Sequence, residues 1–152
     1  MSSNQINNFN LNNYVDPDMI LINNLIENLK YEEAKYVLLE KIQKYPNDVD
    51  ILDTLSEVLI SLYESKEAVK ILMKSIQLEP EKNPEKYMSL GQLSNYKNAL
   101  KYYKKGIELY YREINSLDKN ELEYLNNVKK AKMNIASAYA AVAELYMNTD
   151  LW

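Results

Sequence analysis

Three carboxylates, Asp50, Asp53 and Glu57, stand three and four residues apart in the stretch VDILDTLSEVL. If that stretch is helical they share one face, where they would attract a Lys/Arg-rich segment and accept charge-assisted hydrogen bonds. The plainer reading is that Asp50 and Asp53 complement the positive start of their helix and that the acidic stripe is solvated surface. Other paired acids, Glu32 with Glu33 and Glu121 with Glu123, come with no apolar pocket and no second catalytic group, so surface charge explains them.

The chain has neither cysteine nor histidine. That removes disulfides, thiolate nucleophiles, imidazole bases and Cys/His zinc sites, and no glycine-rich phosphate loop is present, so the expectation is a non-enzyme without cofactor or metal. With a net charge of -4, non-specific nucleic-acid binding is disfavoured and a basic partner mildly favoured. The cluster Lys129, Lys130 and Lys132 then reads as a solvated helix face and not as an RNA contact. The longest apolar stretch, IASAYAAVA, is far shorter than the roughly 20 residues of a membrane span. Residues 1–14, MSSNQINNFNLNNY, lack a basic start followed by an apolar run and read as a disordered Asn-rich leader, which points to the cytoplasm or nucleus.

Two glycines and four prolines in 152 residues are too few for many β-turns, while Leu, Ala, Glu and Lys are plentiful, so the chain reads as all-α. Shifted by 34 residues it matches itself: Leu21 with Leu55, Ala34 with Ala68, Leu38 with Leu72 and Pro46 with Pro80. Repetition at that period, with two helical stripes and a closing proline per unit, predicts a solenoid of antiparallel helix pairs. The pattern resembles the tetratricopeptide repeat, which implies a right-handed superhelix over 15–152, with units at about 15–48, 49–82, 84–116 and a partial 119–152. The third unit is short. From Gly91 to Ala99 it counts eight positions where the second counts twelve from Ser56 to Ala68, so about one helical turn is missing. Its A helix should end near Ser94-Asn95 and its B helix run long, through GIELYYREI, with a connecting segment as far as KKAKM before the next helix.

KYMSLGQLS, NALKYYKKGI and IASAYAAVAELYMNTDLW resemble the tetratricopeptide-repeat assembly chaperones of large-subunit ribosomal protein L-four. The resemblance implies a holdase that captures newly made L-four protein through its basic internal loop and delivers it to the large-subunit precursor. Members of that group are longer, so the chain is expected to be an N-terminal piece whose last helix, with Tyr139, Tyr146 and Trp152, lies open and could pair with a second copy. Groove-facing places carried over from the repeat are Asp16, Asp50, Asp53, Glu57, Glu85, Met88 and Gln92, with Met19 and Asn23 at equivalent places. Asp53 and Glu57 stand where repeats that clamp acidic C-termini need Lys and Asn, which argues against that role. A scaffold that joins subunits through apolar groove contacts is the alternative.

Overall fold

The computed structural model describes residues 16–120 and 122–148. The leader, together with Glu121, Leu151 and Trp152, lies outside the described residues. Seven helices follow one another: α1 (Pro17–Glu27), α2 (Tyr31–Lys44), α3 (Val49–Ser61), α4 (Ser65–Leu78), α5 (Pro84–Leu93), α6 (Tyr96–Ser116) and α7 (Tyr124–Met147). Among the described residues there is no strand. The main contacts each join helices adjacent in sequence, α1 to α2 and so on to α7, which is the solenoid arrangement.

Local chemistry sets the helix boundaries. Helices α1, α3 and α5 each begin on an Asx cap: Asp16, Asp48 and Asn83 accept from the second helical N–H, and Pro17 and Pro84 occupy the first helical position. The turns into α2 and α4 are built alike. Leu29 and Tyr63, 34 residues apart, both take positive φ (59° and 62°) just past the helix end. Lys30 N donates to Leu25 O at 2.8 Å and Glu64 N to Leu59 O at 2.9 Å, the long-range bond of a Schellman closure. The third hairpin lacks such a residue. Helix α5 has 10 residues against 13 in α3, and Ser94 and Asn95 are extended, so the chain passes straight into α6 with Asn95 accepting from Asn98 N at 3.3 Å.

Two glycines let α5 and α6 approach. A Cβ on Gly91 would lie 2.6 Å from the Tyr103 ring, and one on Gly106 would collide with the Met88 methyl and meet Pro84 O at 3.3 Å. Helix α7 departs from expectation. It is continuous over 24 residues, so KKAKM is helix and not connector. The buried Ala131, Ile135 and Ala138, four and three apart, form the stripe that packs against α6. Tyr139 is half exposed, and Tyr146 meets Tyr96 edge-to-face at 6.2 Å between ring centres.

Apolar burial divides into two clusters. One is centred on Ile22, Leu38, Ile51 and Leu55, the other on Tyr103, Ile107, Tyr110 and Ile135. At the seam, where α4 meets α5, lies a buried polar network. Lys86, 2% exposed, donates to Glu79 O at 2.7 Å and to Ser75 Oγ at 3.2 Å. The Ser75 hydroxyl in turn donates to Asp53 Oδ1, and Asn83 Nδ2 donates to Asp53 Oδ2 at 2.5 Å. Tyr87 Oη adds a bond to Pro80 O at 2.6 Å. Burial pushes the Lys86 ammonium below its ordinary value, opposed by the Asp53 charge. Lys86→Met keeps the volume but leaves Asp53 without that charge and Glu79 O without its donor. It should cost about 3 kcal/mol in chemical unfolding, and adding Asp53→Asn should return at least about 1 kcal/mol of it. Equal stability of Lys86→Met and the parent would contradict a cohesive role for the network.

Candidate functional site

Asn83, with φ 52°, bends the chain out of the seam and caps α5, which puts Glu85 in the helix's first turn, its backbone N–H 3.2 Å from Asn83 Oδ1. From there α5, α6 and α7 enclose a cleft of about 490 Å³ lined by Glu85, Met88, Gln92, Tyr103, Lys130 and Asn134 among others. Asn134 ties the three helices together: its Nδ2 donates to Tyr110 Oη at 2.9 Å and to Glu85 Oε1 at 3.4 Å. Lys130 Nζ stands 3.8 Å from the same Glu85 oxygen, with its side chain 75% exposed.

Two further hollows open onto Glu85. One, about 260 Å³, adds Glu113 on α6; the other, about 150 Å³, adds Glu57 and Asp53 on α3. Glu85 therefore sits where carboxylates from three helices converge. Glu57 and Glu113 are exposed, yet the neighbouring helices displace part of the water around them and push both carboxyls above their ordinary value, and the Glu85 charge pushes the same way. For Glu57 the Asp53 charge adds to this, and Lys130 is the cation that opposes the shift on both. Burial chiefly, then the Glu85 charge, raises the Tyr110 phenol.

The residues expected to face a partner are thus distributed. Glu85, Met88 and Gln92 share the cleft, and Glu57 joins them through Glu85. Met88 also fills core, its methyl against Gly106. Asp53 is a buried network member and not a free groove carboxylate, because Ser75 and Asn83 occupy both its oxygens. Asp50 is exposed in a separate hollow with Lys82 and Arg112. Asp16 lies at the other end of the chain, where it caps α1 and meets Lys41 Nζ at 2.5 Å. Of the nearby places, Met19 packs on the first core and Asn23 is exposed.

Tyr110, Glu113, Lys130 and Asn134 were not legible as site residues. The signal was present on α7: Lys130, Asn134, Ala138 and Ala141 recur at helical spacing, but only once 124–133 is taken as helix.

No known protein family matches the chain, and no curated protein does. Solved structures do. The crystal structure of PcrH in complex with the chaperone binding region of PopD has a TM-score of 0.60 at 12% identity, over 81% of this chain and 89% of that one. The MamA RS-1 ArsTM double mutant has a TM-score of 0.49 at 21% identity, over 90% and 77%. The PcrH likeness shows the fold, a tetratricopeptide-type helical solenoid.

The raised carboxyls fix a sign for pH dependence. The folded chain holds these protons more tightly than the unfolded chain does, so stability should fall as pH rises from the ordinary value near 4.5 through the raised values of Glu57 and Glu113. Asp16 and Glu81, whose carboxyls are lowered chiefly by Lys41 and Arg112, act in a lower window and lose their contribution as pH falls below about their ordinary values of 3.8 and 4.5. Glu57→Gln should therefore stabilise the chain at pH 7 and flatten the slope above pH 4.5 in thermal unfolding. An unchanged slope would show that Glu57 is fully solvated.

Proposed function

We propose that the chain is a non-catalytic protein-binding chaperone whose cleft captures a basic segment of its partner. The observation that carries this is the placement of Glu57, Glu85 and Glu113 on three adjoining hollows that share Glu85, with the exposed, loosely placed Lys130 beside them. A cation brought in by a ligand would offset the loss of water, and the lesser repulsion, that raise two of the carboxyls, and it would gain charge-assisted hydrogen bonds there. That a protein of the same fold, PcrH, is seen in complex with the chaperone binding region of another protein supports a segment-binding use of the solenoid.

The resemblance of KYMSLGQLS and the AELYM helix supports a narrower reading. In it the partner is newly made ribosomal protein L-four, held by its basic internal loop in the cytoplasm and nucleus until delivery to the large-subunit precursor. Neither a membrane nor a nucleic acid takes part directly.

Calorimetric titration of an L-four internal-loop peptide at two salt concentrations tests this. Binding should weaken with salt, and Glu57→Lys, Glu85→Lys and Glu113→Lys together should reduce affinity by about tenfold or more. Because ligand charge lowers the raised carboxyls, binding at a pH just above the ordinary glutamate value of 4.5 should also release protons, seen as a dependence of the heat on the buffer's ionisation enthalpy. Salt-independent binding of an uncharged segment would support the scaffold reading instead.

A further inference from the structure

We infer that the cleft reads a two-part ligand, in which an Arg or Lys side chain seats at Glu85, flanked by Glu57 and Glu113, while an apolar side chain a few residues away seats over Met88 and Ala138. This rests on the reading above, that the occupant is a basic protein segment, and specifies what that segment must carry.

The cleft changes character along its length. At one end stand Glu85, Lys130 and Asn134; towards the other the lining passes to Met88, Gln92, Ser137, Ala138 and Ala141 on α5 and α7, where it holds no charged residue. Purely electrostatic capture has no use for the second half. An apolar side chain from a ligand would find there a methionine that can adjust its shape, and small alanines that leave room above the helix. At the first half Lys130 already shows where a cation goes. It is 3.8 Å from Glu85 on a side chain 75% exposed, so it approaches the carboxylates without being locked to them and can swing aside for a ligand's cation. Asn134, held to Tyr110 and Glu85, marks the boundary between the halves.

The spacing follows from helix geometry. Lys130 and Ala138 are eight residues apart on α7, about 12 Å along its axis. An extended ligand covers that distance in about three to four residues. The preferred segment is therefore a basic residue followed or preceded, three or four places away, by Leu, Ile or Met.

Labelled eight-residue peptides with one Arg and one Leu four places apart in a Ser/Gly background, read by fluorescence anisotropy, test the inference. Replacing Leu by Ser should weaken binding about tenfold and keep its salt dependence. Replacing Arg by Gln should weaken it and abolish that dependence. Moving Leu next to Arg should weaken it as much as removing Leu, and Ala141→Gln in the protein should erase the benefit of Leu alone. If the Leu-to-Ser peptide binds as tightly as its parent while salt still matters, the two-part ligand is wrong and the acidic-cleft reading survives. If the Arg-to-Gln peptide binds equally well, or no peptide binds at about millimolar concentration, both fall.

Discussion

The buried Asp53–Ser75–Lys86 network is the contact on which the second half of the molecule depends. Apolar packing across the seam is sparse, because the two core clusters lie largely on either side of it, with Leu93 of α5 reaching the first, and α4 touches α5 less than the helices of each hairpin touch one another. A hydrophobic seam can slide, whereas Lys86 must place its ammonium at Glu79 O and Ser75 Oγ together, or leave a charge buried without partners. That requirement fixes α5 against α3 and α4. It also brings Glu57 on α3 close enough to Glu85 on α5 for their charges to interact.

The cleft follows from that placement and from small residues. Gly91 and Gly106 bring α5 and α6 together closely, and the two-residue passage through Ser94 and Asn95 replaces the Schellman turn used in the first two hairpins. Helix α6, at 21 residues, then outruns α5 at 10, and α7 packs along it through Ala131, Ile135 and Ala138. With no partner of matching length beside α5, a trough is left between three helices, and Asn134 bridges it. Glu85 of α5 lines that trough, and Glu57 of α3 and Glu113 of α6 line the hollows that adjoin it, a local concentration of the charge excess that the chain carries as a whole.

Much of the architecture was legible because the repeat encodes it. The 34-residue match reflects positions where helices cross, and it extends to Leu29 and Tyr63, whose left-handed backbones are equivalent although their side chains are not alike. The site was harder to read. Groove positions taken from a repeat pattern treat Asp50, Asp53 and Glu57 as one face, but the cap, the seam and the trough give the three different neighbours. A lysine inside KYMSLGQLS looks like surface until α4 supplies Glu79 O and Ser75, contacts between different units that the period does not contain. Helix α7 was split in reading because its first turns are rich in Asn and Lys, which hides the Ala131/Ile135/Ala138 stripe.

The trough of α5, α6 and α7 is the proposed seat of a basic segment. Amide chemical-shift mapping of the isotopically labelled chain during titration with the L-four internal-loop peptide tests it most directly. The largest changes should fall around Glu85, Glu113, Lys130 and Asn134, with Glu57 following and α1 and α2 silent. Changes centred on α1 and α2, or on the outer face of α7 at Tyr139, would contradict it.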